Sequence, residues 1–451
     1  VQDRRDSDKH LAGSESMKIS ILGSGMAGCG AAHALSSEGI TSVMYDEKSY
    51  YGGRTASHQY AGGFTFDEGP HISFTRVERI QKLLAENINF QYETLKADVN
   101  NYWRGHWIKH PAQSNLYGLS TDLVVNILRD FIHAHNSDYG EISNYADWLR
   151  ASFGNTFAET FPMEYTIKYH TTTADNMSID WIGPRLHRPN LEEVLRGALT
   201  SDTPDVHYVD NFRYPSHGGF VSYLHPFMKQ TDLRLDHKLI QIDPQKKRLH
   251  FANGVVASYD RLISSIPLPE IIPAIVGTPT DVLAASQQLA CSTAVIVNLG
   301  VNRPDVLDAH WTYFYDRDVC FTRLSTPHRQ SPHNVPSGTS SIQAEIYFSK
   351  KYRPLDRAPE EWIEPVIADL IRCEILREDD ELLFKNSFLV PYANVIFDLE
   401  RSAALSTVHG YLKDLGIAYC GRYGEWAYIW TDESFISGEK AAQHILNQTR
   451  I

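Results

Sequence analysis

The sequence predicts an α/β fold in three parts: a parallel βαβ domain, an inserted helical domain and an antiparallel-sheet domain. Three observations predict it. Between Met17 and Tyr45 an apolar strand, a glycine-rich turn, an Ala- and Gly-rich helix and a second apolar strand follow one another within ~30 residues. From Leu119 to about Tyr169 the apolar residues keep helical spacing. Strand-like runs at Ser292–Val301, His310–Tyr315 and Ser340–Phe348 then suggest an antiparallel sheet.

Taken in order, Met17–Leu22 (MKISIL) reads as a buried strand, Met26–Ser37 as a helix and Thr41–Tyr45 as a strand. Trp181–Asn190, broken by Gly and Pro, reads as a loop. Leu233–Ser258 alternates apolar and polar residues around turns at Asp243-Pro244 and Asn253-Gly254, as a hairpin would. Arg261–Ile266 and Ile417–Cys420 are further strands, Gly421 begins a turn, and Ser434–Asn447 is a helix. The 451 residues exceed one simple core. The expected division is 17–80, 206–270 and 405–451 for the βαβ domain, 118–205 for the helical domain, and 81–117 with 271–404 for the sheet domain. Residues 1–16 are polar, lack an apolar signal core and read as a disordered leader or tag remnant.

Composition narrows the chemistry. A net charge of −13 argues against a general nucleic-acid binder, which needs a basic surface to displace counterions. Arginines in a cleft would still allow an anionic small substrate. The five cysteines are scattered, odd in number and without a C-x-x-C pair, so neither zinc nor a disulfide framework is expected, and a reducing cytoplasm fits. No apolar run reaches membrane-span length.

Gly23, Gly25 and Gly28 form G-x-G-x-x-G between strand and helix. The first allows the tight turn, the second admits a pyrophosphate to backbone amides, and the third lets the helix pack on the strand. The helix N-terminus adds its positive dipole end. Asp46 ends the second strand, at the spacing of a carboxylate that takes the adenosine ribose hydroxyls, with Glu47 a solvated neighbour. Gly53 and Arg54 follow in Y-G-G-R-T, resembling the G-G-R element of many FAD enzymes, so the first domain is expected to be a Rossmann-like FAD-binding domain.

Three more segments resemble the UDP-galactopyranose mutase family: F-D-E-G-P-H-I-S-F-T (66–75), Y-T-I-K (165–168) with W-I-G-P-R (181–185), and G-R-Y-G-E-W-A-Y (421–428). The resemblance extends from Lys18 almost to the C-terminus. It implies reduced FAD as cofactor, NADH or NADPH as a candidate reductant, and a nucleotide-diphosphate sugar as substrate. It also implies a homo-oligomer. The implied reaction interconverts pyranose and furanose forms, with flavin N5 as nucleophile at the anomeric carbon. Residue by residue, His71 would lie against the flavin, Gly219 and Asp432 would contact FAD, and Arg185 would reach the substrate diphosphate from a mobile lid. Arg323 and Tyr313, with Arg422 and Tyr428, would hold the same diphosphate as it leaves. Gln113, Thr166, His170 and Tyr392 would complete the substrate pocket, with Asn115 a further polar contact and Phe397 close to the sugar. No separate protein nucleophile or metal cluster is visible.

The resemblance departs from the family where a base would stack. His170 stands in place of a tryptophan and Ala112 in place of a phenylalanine, while Phe74 replaces a second loop histidine. Each lost stacking surface should cost about 1–3 kcal/mol on a base. The rivals are an FAD-dependent oxidoreductase of the amine oxidase or protoporphyrinogen oxidase type, sharing the fold, and a catalytically inert binding protein of that fold.

Overall fold

The computed structural model describes residues 17–137, 140–183, 186–206 and 208–449. The leader 1–16 and Arg185 lie outside the described residues.

The first strand, Ile19–Leu22, sits in the middle of a five-stranded parallel sheet. Its neighbours are Ser42–Tyr45, then Thr231–Arg234 on one side, and Arg261–Ser264, then Ile417–Tyr419 on the other. All four residues of the first strand are buried, as a strand covered on both faces requires. The sheet therefore collects segments from both ends of the chain.

Close backbone contact fixes the helices on this sheet. A Cβ at Gly28 would collide with the Gly23 carbonyl, so Met26–Ser37 lies directly on the turn that starts it. Further along, a Cβ at Gly30 would strike the Phe435 carbonyl, and one at Gly438 the Ala27 carbonyl. The first helix and the last, Thr431–Thr449, thus cross backbone to backbone. The last helix begins at Thr431 rather than Ser434, because the Glu433 carboxylate accepts a hydrogen bond from the Trp430 amide (2.7 Å).

The helical part runs through Thr121–Asn136, Tyr145–Phe153, Asn155–Thr160 and Pro162–Tyr169, around a core that includes Phe131, Leu149, Phe153, Phe157 and Phe161. The second sheet has seven strands in the order 382–390, 292–301, 340–349, 323–325, 311–314, 99–103, 106–109. It is mixed rather than antiparallel: Trp311–Phe314 runs parallel to Val99–Trp103. Sequence alternation could not reveal this, because strand direction depends on the long connection between them. One face packs Val295, Val297, Leu299, Ile342, Ala344 and Ile346 into a core of its own. The expected hairpin from Leu233 is instead a three-stranded meander, Leu239–Asp243, Arg248–Phe251 and Val256–Ser258. Leu233 belongs to the parallel sheet, where it pairs with Met44.

The helix crossing can be tested against an internal control. Gly438→Ala overpacks the crossing and should lower stability by about 1–3 kcal/mol. Gly410→Ala, where nothing lies within 4 Å of the added carbon, should raise it by about 0.5–1 kcal/mol. Thermal melts of the two variants giving shifts of the same sign would contradict the argument.

Candidate active site

The site begins at the glycine turn. Gly23 has φ +98° and its amide donates to the Tyr45 carbonyl (2.8 Å), which closes the turn. Asp46 is held from two sides: the Ser24 amide and hydroxyl donate to Oδ2 (2.8 and 2.6 Å) and the Lys48 amide to Oδ1 (3.0 Å). A Cβ at Gly25 would lie 3.6 Å from the Gly52 carbonyl and Gly53 Cα, so only small residues keep a passage between the two glycine turns. A dinucleotide pyrophosphate fits this cradle at the helix N-terminus.

Arg54 is fixed by Glu68, whose carboxylate it meets at 3.1 Å and whose carbonyl it meets at 2.6 Å. The same buried carboxylate accepts from Lys48 (3.0 Å), Tyr50 (2.5 Å) and His58 (3.2 Å). Burial alone would raise its pKa, but the His58 hydrogen bond, the Arg54 and Lys48 charges and the Tyr50 hydroxyl pull it down to about 2.

His71 sits beyond Arg54, its Nδ1 donating to the Gly69 carbonyl (2.7 Å). Burial, then the charges of Arg54, Arg422 and Arg323, hold its pKa down to about 3. A neutral imidazole therefore shares one site with three arginines. Gly219 (φ +78°) packs where a Cβ would overlap Ser57, and the next amide, Phe220, donates to Asp67 (3.1 Å).

The opposite wall is the polar face of the mixed sheet. Tyr313, Arg323 and Glu345 are direct cross-strand partners in three successive strands, so their side chains share a face. Arg323 makes a bidentate pair with Glu345, whose Oε1 also accepts from Tyr347 (2.9 Å), and Tyr313 accepts from Trp311 Nε1 (3.0 Å). Arg422 is held by the Ile429 carbonyl (3.1 and 2.7 Å) and by Asn394 (3.5 Å), and lies 5.1 Å from the Tyr428 ring. Among the described residues its ion pairs include no carboxylate.

The helix Pro162–Tyr169 closes the site with a face not anticipated from the sequence. Tyr165 and Tyr169, one turn apart, meet Tyr313 (5.5 Å) and Tyr347 (4.8 Å), and the Tyr169 hydroxyl lies 2.9 Å from that of Tyr428. The i, i+4 spacing of the two tyrosines was the missed signal; for Glu345 and Tyr347 it was strand alternation. Along the same helix, Glu164 pairs with Arg317, and Lys168 donates to the Asp316 carbonyl (2.7 Å), burial pushing its pKa down to about 7. A cleft of about 870 Å³ opens beside Glu164, Tyr315, Asp316 and Arg317, and none of the expected site residues lines it.

Several expected contacts are turned elsewhere. Thr166 is buried and its hydroxyl bonds back to the Pro162 carbonyl (2.7 Å), because the helix directs Tyr165 and Tyr169 into the site instead. Tyr392 points its hydroxyl at Glu270 (2.5 Å), and Phe397 is buried beneath the Arg401 guanidinium (4.0 Å). Gln113 donates to the His187 carbonyl (2.9 Å), and Asn115 is buried between Pro111 and Thr203. His170 is buried against Tyr169 (4.8 Å) and Trp181 (5.4 Å), with no partner for Nδ1 among the described residues. Asp432 lies in the first turn of the last helix.

Residues 21–86 match the model of the NAD(P)-binding Rossmann-like domain. A structure of reduced UDP-galactopyranose mutase superposes with a TM-score of 0.89 at 25% identity, covering 96% of each chain. The chain has the UDP-galactopyranose mutase fold. A protein assigned as a protoporphyrinogen oxidase from Exiguobacterium sp. 255-15 (TM-score 0.75, 15% identity, 96% and 99% covered) shares it more distantly. So does a redesigned putrescine oxidase (0.63, 13%, 96% and 99%). These likenesses support an enzyme with an FAD-type dinucleotide site. Among the described residues no helix is long and apolar enough to cross a membrane, and no group of three potential metal ligands occurs.

The Glu68 knot has a pH signature. A carboxylate whose folded pKa is depressed adds stability above its unfolded pKa of about 4.5 and loses it as pH falls towards 2. Glu68→Gln should therefore cost about 3 kcal/mol at pH 7 and much less at pH 3, read by denaturant titration. An equal cost at both pH values would refute the assignment.

Proposed function

We propose that the protein is a reduced-flavin-dependent mutase that interconverts the pyranose and furanose forms of a nucleotide-diphosphate sugar. The observation that carries this reading is the convergence of Arg323, Arg422, Tyr313 and Tyr428 beside His71. Such a group answers a need that hydride abstraction from an amine does not have, the holding of a departing diphosphate.

Reduced FAD, when bound, would supply the nucleophilic chemistry that the ring contraction needs. Gly23, Gly25, Gly28 and Gly53 would admit its pyrophosphate, Asp46 would take the ribose, and Arg54 and His71 would border its ring. The chain's own work is then positional and electrostatic. Arg422, oriented by the Ile429 carbonyl rather than by an acid, is proposed to meet the leaving diphosphate. Arg323 shares its charge with Glu345 and acts mainly as an oriented hydrogen-bond donor beside Tyr313. His71, neutral at physiological pH, offers Nε2 without adding charge. Tyr165 and Tyr169 cover the site and exclude water, while Lys168 and Glu164 anchor their helix to the sheet domain. Arg185 is proposed to join the diphosphate from the loop that follows.

Dithionite-reduced protein incubated with UDP-, GDP- and dTDP-sugars should change the ring size of one of them with no net redox change. Activity confined to the oxidised protein, with peroxide formed from an amine, would instead establish the oxidase reading. Arg422→Ala should lower kcat/KM by about 10²–10³-fold while FAD content stays unchanged. Because His71 titrates near pH 3, the rate should show no ionisation of this residue between pH 5 and 8. A histidine proton resonance assigned to His71 and titrating near pH 6.5 would contradict that.

A further inference from the structure

Three aromatic side chains from distant parts of the chain meet at the site. Phe74 ends the loop that carries His71, Tyr208 precedes the strand Asn211–Pro215, and Trp430 precedes the last helix. The Trp430 ring lies 5.1 Å from that of Phe74 and 5.7 Å from that of Tyr208, and the Phe74 and Tyr208 rings are 6.1 Å apart. All three are partly exposed. Trp430 also lies 5.7 Å from Tyr428, whose own ring carries the Arg422 guanidinium. The wall therefore runs from the His71 loop at one end to the Arg422–Tyr428 anion group at the other.

Its place decides what it can touch. In the reaction proposed above, the anomeric carbon must reach the flavin beside His71 while the diphosphate bonded to that carbon reaches Arg422 and Arg323. The sugar ring is the part of the substrate that spans the interval. We infer that Phe74, Tyr208 and Trp430 form the surface that selects the sugar, taking a C–H-rich face of it, and that the preferred substrate carries a 6-deoxyhexose. Aromatic faces bind apolar ring surface. A hydroxymethyl oxygen turned onto Phe74 would lose its water and find no partner on that ring. A methyl group at the same position loses nothing.

This inference rests on the mutase reading, and the experiment separates the two. Reduced enzyme is assayed with UDP-galactose against UDP-6-deoxygalactose, and with the corresponding dTDP pair, so that each comparison changes one hydroxyl and keeps the base. The deoxy sugar should be preferred by about 10–100-fold in kcat/KM, the range in which an apolar surface rejects an added hydroxyl. Trp430→Asn and Phe74→His should each shrink that ratio, chiefly through KM, while Trp430→Phe largely restores it and FAD content is unchanged in all. Turnover of both sugars at equal kcat/KM, or a hexose preference, would leave the mutase reading standing and overturn the sugar assignment. Turnover of none of the four, and of none of the GDP-sugars in the wider panel, would overturn the mutase reading itself.

Discussion

The backbone crossing of the first and last helices is the contact on which the site depends. Gly30 lies against the Phe435 carbonyl and Gly438 against the Ala27 carbonyl, at separations that leave no room for a side chain. That contact brings the C-terminal segment onto the N-terminal glycine turn. Gly421, whose amide donates to the Ser437 hydroxyl (2.9 Å), then stands over Ala27, and the next residue, Arg422, is turned to the Ile429 carbonyl and Asn394. Residues some four hundred positions apart in the chain become parts of one cleft because glycine lets two helices touch.

Charge inside this cleft is arranged unevenly. Two of its arginines are tied to buried carboxylates: Arg54 to Glu68 and Arg323 to Glu345. Such pairs largely offset their own desolvation and hold geometry more than they add stability. Arg422 is different, since the groups that orient it are the Ile429 carbonyl and the Asn394 amide oxygen, which fix its direction without neutralising it. His71 answers the same field by remaining neutral. Within one cleft, two arginines are thus offset by buried carboxylates while a third is oriented by neutral groups.

Much of the dinucleotide site was legible in the sequence. Gly23, Gly25, Gly28 and Asp46 act through backbone shape and local spacing, and those are properties of a short continuous segment. The helical and strand periods likewise survive in any window of ten residues, which is why Met26–Ser37 and Ser292–Val301 stand where they were expected. The expected substrate contacts were less legible. Thr166 belongs to the matched motif, yet its side chain points into its own helix while the flanking Tyr165 takes the site. Tyr392 was placed by neighbourhood in the chain, and Glu270, more than a hundred residues away, captured its hydroxyl.

The sequence by itself determined the parallel domain and its glycine turn, since each of these is encoded over a few tens of residues. Tertiary structure alone decided which arginines are paired with buried carboxylates, which tyrosines pack over Tyr313 and Tyr347, and that Phe74, Tyr208 and Trp430 stand together. It also decided that Trp311–Phe314 pairs parallel with Val99–Trp103. The physical reason is common to all four: each is a choice between partners distant in the chain, and such choices are made by packing and desolvation rather than by local pattern.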